Sequence, residues 1–218
     1  MAPIVINTNL PQYHSAVNWG RSRNIKINII NGNDFELAKH IERPNYVISH
    51  SCHLIQDNFP EITFIGPECG FPGKSYYPEA GFDSGALDSM PRIIVPADII
   101  YVNKTVSFDS KVFIKKIESL GLNLKVYGHG FGISEFKSKV PPDSAYKGVS
   151  AIAADNEEEI YKALYLGKVC ITPFNFAHCY NVFEIESGQS LVSTEAQQDF
   201  AKQNTWDSIF NRMGILNE

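Results

Sequence analysis

Apolar positions fall into short β-branched runs separated by stretches with helical spacing. In the first half the runs are Ile4–Asn7, 25–30, 46–49 and 62–65. Residues 10–21 and 34–41 between them read as helices, and Asn33 or Asp34 suits the cap of the second. The runs are nearly continuous in apolar character, which predicts strands of a parallel sheet buried on both faces. Strand and helix in alternation is the rhythm of an open α/β sheet. From Gly66 to Pro91 the rhythm stops in a segment rich in Gly, Pro, Ser and Tyr, expected to be a long functional or connecting loop.

The rhythm then restarts. Ile99–Asn103 reads as a strand and 109–120 as a helix, with Val112, Phe113, Ile117 and Leu120 on roughly one face and Gly121 as its C-cap. A strand at 124–127 runs into the glycine turn 128–132. A strand at 150–153 precedes a helix at 157–166, capped by Asp155 or Asn156 and closed by Gly167. Val169–Thr172 and 182–185 read as strands, and 194–200 and 206–213 as closing helices. The expected fold class is α/β: two small Rossmann-like parallel-sheet domains, 1–91 and 92–218, facing a cleft.

Composition removes several classes of function. The 218 residues are 44% hydrophobic and 20% charged, ordinary usage for a globular chain. Net charge is −5, with no cluster of Lys and Arg, which argues against nucleic acid as the primary partner. The four cysteines lie at irregular spacings with no CxxC pair, and read as reduced thiols of a cytoplasmic protein. No apolar run approaches the roughly 20 residues of a membrane span, and the first residues lack the pattern of a signal peptide.

Ligands of an open parallel sheet bind beyond the carboxyl ends of its strands, and four segments meet that condition. Asn7, Thr8 and Asn9, with Tyr13 and His14 behind them, follow the first strand; small polar groups there suit a sugar or phosphate, or simply a turn. Ser49, His50, Ser51, Cys52 and His53 follow the third. Two histidines three apart invite a metal reading, but no HExxH and no second Cys/His pair at zinc spacing accompany them. A cleft histidine acting as hydrogen-bond partner or proton carrier fits better, beside the plain reading of a capped strand end. The turn Gly128, His129, Gly130, Phe131 and Gly132 permits close backbone approach to a phosphate, or is only a tight turn; it is neither GxGxxG nor a Walker A loop. Glu157, Glu158 and Glu159 open a helix, where the dipole favours acidic groups and where a carboxylate can also accept both hydroxyls of a ribose.

Three segments of the second half, IIYVNKTVSFDSKVFIKKIESLGLNLKVYGHG, EIYKALYLGKVCITP and NTWDSIFNRM, together resemble the donor-binding domain of GT-B glycosyltransferases over roughly residues 92–213. In the first half the resemblance covers the strand–helix order and NYVISHSCHL. It implies that Lys104, with Lys111 as a second candidate, contacts a donor diphosphate. It implies that Gly128, His129 and Gly130 lie near the nucleotide, that Glu159 binds the donor ribose, that Thr172 ends the following strand, and that His50 faces the donor sugar. Ala151 stands where larger retaining families carry a first glutamate, and Asn103, in place of a glycine, precedes Lys104.

A departing diphosphate needs its charge stabilised. The resemblance implies that basic side chains and helix N-termini do this in place of a bound metal, and the chain has no DxD triplet. His14, His50, Asp83 and Asp88 are candidates for the base at an acceptor hydroxyl, and Tyr76 and Tyr77 for stacking on an acceptor sugar. The leading expectation is therefore a metal-independent glycosyltransferase using a nucleotide-sugar donor and a glycan or other hydroxyl acceptor, with no further cofactor. Two alternatives are a non-catalytic nucleotide- or sugar-binding module, favoured by Ala151 and the short first half, and a small hydrolase using residues 49–53.

Overall fold

Parallel strand pairing organises the chain as the apolar runs predict. In a computed structural model the structure describes residues 4–7, 13–25, 27–30, 46–48, 63–65, 81–103, 108–128 and 142–212. Their contacts group into two compact units, Met1–Asp83 with Asn204–Glu218, and Ser84–Gln203.

The first unit carries a four-stranded sheet of β1 (Ile4–Asn7), β2 (Ile27–Ile30), β3 (Tyr46–Ile48) and β4 (Thr63–Ile65), in the order β2-β1-β3-β4. All its pairings are parallel, with Ile4 in register with both Ile27 and Tyr46. Helix α1 (Tyr13–Ser22) buries Ala16, Val17 and Trp19. The last described helix, α7 (Trp206–Arg212), belongs to this unit, whereas the sequence grouped 206–213 with the second half. Trp206 and Phe210 are its reason: both are fully buried, with Phe210 4.6 Å from Trp19 between ring centroids and Trp206 Nε1 donating to Ser15 Oγ at 3.0 Å. Arg23 fastens the join, donating twice to Asp207 at 2.9 and 2.7 Å and approaching Asp83 at 3.4 Å.

The second unit has a five-stranded parallel sheet of β5 (Ile99–Asn103), β6 (Leu124–Gly128), β7 (Ala151–Ala153), β8 (Val169–Thr172) and β9 (Tyr180–Asn181). Its order is β6-β5-β7-β8-β9. Alternate residues of β5 point to opposite faces. Ile99 and Tyr101 join a core with Phe113 and Ile117 of α3 (Phe108–Ser119), while Ile100 and Val102 join one with α4 (Pro142–Tyr146), α5 (Glu157–Tyr165) and α6 (Glu195–Lys202). Helices thus cover both faces, the arrangement that continuous apolar strands require. Asn156 is the cap of α5, accepting the Glu159 N–H at 3.1 Å, and Gly121 and Gly167 take the left-handed backbone expected after α3 and α5, with φ of 75° and 65°.

Three expectations change. The segment from Gly66 to Pro91 is not loop throughout, because α2 (Ser84–Ser89) forms there around buried Leu87. Helix α4 had no sequence signal. Residues 182–184 are a turn following β9 and Ile185 comes directly after it, and Val182 and Ile185 are apolar because both pack into the α3 face of the core. The expected helix at 34–41 lies outside the described residues.

Candidate functional site

Strand order fixes where the second sheet opens. From β5 the chain passes through α3 to β6 on one side, then crosses back through α4 to β7 on the other. The order therefore reverses between β5 and β7, and such a switch point leaves a crevice beyond the carboxyl ends of the two strands.

Three elements converge there on one carboxylate. Asp155 lies two residues beyond β7, and its Oδ2 accepts the Tyr101 hydroxyl from β5 and the Ser110 hydroxyl from the first turn of α3, the latter at 3.4 Å. Tyr101 and Ser110 are both buried. Sequence reading treated Asp155 only as a cap for α5. Its partners lie 54 and 45 residues away, so no local pattern announces the cluster.

Between α4 and α5 lies a buried charged network. Lys162 Nζ sits 3.0 Å from Glu158, 3.1 Å from Glu159 and 3.4 Å from Asp143. The other oxygen of Glu159 accepts the Tyr146 hydroxyl. Burial raises the Glu159 pKa, and Lys162 opposes that rise. Burial also works against the Lys162 charge, but Glu159, Glu158 and Asp143 together outweigh it and hold the ammonium above the ordinary lysine range. Burial, then Glu159, pushes the Tyr146 phenol up, so it stays a donor. The spacing of Lys162 three and four residues after the glutamates was legible as helix pairing; the contributions of Tyr146 and Asp143 were not.

The residues expected from sequence are distributed as follows. Glu159 is in this network, with both carboxylate oxygens engaged. Thr172 ends β8, fully buried, its hydroxyl donating to the Phe174 carbonyl. Gly128 ends β6 in register with Asn103 at the end of β5, so the two strands terminate side by side just before Lys104 and His129 in the sequence. Lys104, His129 and Gly130 themselves lie outside the described residues, as do His50, the rest of 49–53, Tyr76 and Tyr77. His14 is exposed in the first turn of α1, its ring 3.8 Å from that of Tyr13 between centroids. Of the other base candidates, Asp83 is paired with Arg23, and Asp88 accepts the Tyr165 hydroxyl at 2.8 Å. Lys111 is exposed on α3. Among the described residues no group of three His, Cys, Asp or Glu side chains is arranged to hold a metal ion, and no helix is long and apolar enough to cross a membrane.

No family model and no curated protein matches the chain. Among solved structures, it is similar to the dodecameric iron-containing heptosyltransferase TibC in complex with ADP-D-β-D-heptose. That likeness has 13% identity and a TM-score of 0.30, over 99% of this chain and 76% of the other. At that score nothing about this chain follows from it.

Proposed function

We propose that this chain is a glycosyltransferase that moves a sugar from a nucleotide-sugar donor to a glycan or other hydroxyl acceptor without a metal ion. The observation that carries the reading is the parallel sheet of the second unit, with its switch point between β5 and β7 and its strands ending in register at Asn103 and Gly128. The order of motifs along residues 92–213 adds to it.

In this reading the donor nucleotide lies beyond the carboxyl ends of β5, β6 and β7, near Gly128, His129 and Gly130. The bond between the anomeric carbon and the diphosphate breaks, and its electron pair leaves with the diphosphate. Lys104 and the positive end of the α3 dipole stabilise that charge. The acceptor, stacked on Tyr76 or Tyr77, loses its hydroxyl proton to His50 or His14. Thr172 shapes the donor site at the end of β8. Glu159 binds the donor ribose only by exchanging Lys162 or Tyr146 for it.

A second reading, a binding module that holds a nucleotide without turnover, is favoured by Ala151 in place of a first glutamate. Release of nucleoside diphosphate from UDP-, GDP- and ADP-sugars, measured with and without EDTA, separates the readings. Release that persists in EDTA supports the transferase. Binding without release supports the module, and cleavage abolished by EDTA points to a hydrolase built on residues 49–53.

A further inference from the structure

We infer that Cys170 and Cys179 form a redox-active dithiol pair that closes to a disulfide across β8 and the entry to β9. Strand register brings them together. Ile171 pairs with Tyr180 and Thr172 with Asn181 in parallel, so one step back sets Cys179 against Cys170. Neighbouring strands lie about 4.8 Å apart, within the roughly 4.4–6.8 Å between Cα atoms that a disulfide spans. Residues at one register level also point to the same face, and both cysteines pack into the α5 side of the core. Cys179 is near enough to Cys170 to raise its pKa, and neither is in a disulfide.

The turn between them holds Cys179 in place. His178 takes a left-handed backbone with φ of 63°, the Cys179 N–H donates to the Phe176 carbonyl at 3.1 Å, and Gln197 of α6 donates to the His178 carbonyl at 2.6 Å. The two thiols differ in access. Cys170 is fully buried, and burial followed by the neighbouring sulfur raises its pKa, whereas Cys179 is half-buried. Cys179 is therefore the attacking group and Cys170 the resolving one.

Glutathione disulfide is a sufficient oxidant. The Cys179 thiolate attacks one of its sulfurs, the glutathione S–S bond breaks, and one glutathione thiolate leaves. Cys170 then attacks the Cys179 sulfur and passes its proton to the departing glutathione sulfur. The mixed disulfide breaks and the second glutathione leaves as the thiol. Two protein thiols are oxidised by two electrons, and one glutathione disulfide is reduced to two thiols. The cross-link encloses Thr172 and Phe174 in a short loop and does not depend on what the crevice binds.

The test uses the folded full chain incubated with glutathione disulfide. Remaining thiols are blocked with N-ethylmaleimide, and chymotryptic peptides are mapped by mass spectrometry before and after reduction. The expected result is a Cys170–Cys179 linked pair released by reduction, with a Tm above that of the reduced protein. In Cys170→Ala, glutathione should remain trapped on Cys179; if that protein fails to fold, native-state N-ethylmaleimide labelling of the parent chain should modify Cys179 before Cys170. Glutathione stable on Cys179 of the parent chain, pairing of Cys179 with Cys52 or Cys69, or recovery of both thiols unmodified would each overturn the inference.

Discussion

Replacing Lys162 by Met removes the cation from a site that three carboxylates share. The lysine side chain is 10% exposed and those of Glu158 and Glu159 are 9% and 8%, so solvent screens little of the interaction. An exposed pair contributes only about 0.2–1 kcal/mol. Removing one partner of a buried pair costs about 3–5 kcal/mol, because uncompensated charge is left inside. Against a total stability of roughly 5–15 kcal/mol that is a large fraction. The loss must also depend on pH. In the parent protein the Lys162 pKa is raised, so its contribution is complete below the ordinary lysine value and is lost only as pH rises through the folded one. Without Lys162, the buried Glu159 carboxyl has a folded pKa further above its unfolded value, and folding takes up a proton. Stability is then present at low pH and lost as pH rises through that folded value. Urea unfolding of parent and variant at about pH 5 and about pH 8 should show a penalty of at least about 3 kcal/mol at the higher pH, smaller by about 1 kcal/mol or more at the lower. Adding Glu159→Gln should recover part of it. A penalty below about 1 kcal/mol at both pH values would refute the reasoning.

Two further substitutions probe packing and surface charge by the same unfolding measurement. Gly148→Ala would set its Cβ 1.8 Å from the Ile93 carbonyl oxygen, a backbone atom, so it should destabilise by about 1–3 kcal/mol, where an unhindered Gly→Ala stabilises; a neutral result would contradict the contact. Arg23→Gln breaks the pairs with Asp207 and Asp83, but Arg23 and Asp207 are each about a third exposed and the Asp83 contact is long at 3.4 Å, so the loss should stay near 0.2–1 kcal/mol. A loss above about 2 kcal/mol would mean that Arg23 acts through the Trp19 ring it covers, 5.2 Å away, more than through charge.

Much of the fold could be read from local pattern. The β-branched runs at Ile99–Asn103 and Val169–Thr172, the cap at Asn156 and the glycines at 121 and 167 each act within a few residues of themselves. Helices α2 and α4 are too short to show a period, and Leu87 is the buried residue of α2. Val182 and Ile185 look like a strand because burial demands apolar residues whether the backbone is extended or turning. The association of α7 with α1 rests on Trp206 and Ser15, 191 residues apart. The candidate site divides the same way. Its strand ends were legible, whereas the meeting of Tyr101, Ser110 and Asp155 depends on strand order, which no window of sequence contains.

The central claim, a nucleotide-sugar site beyond the second sheet, is tested most directly by thermal shift against UDP, GDP, ADP, CMP and their sugar conjugates, with and without EDTA. The account predicts a rise in Tm with one nucleotide series, unchanged by EDTA and lost in Lys104→Ala. No shift with any of them, or a shift that Lys104→Ala leaves intact, would contradict it.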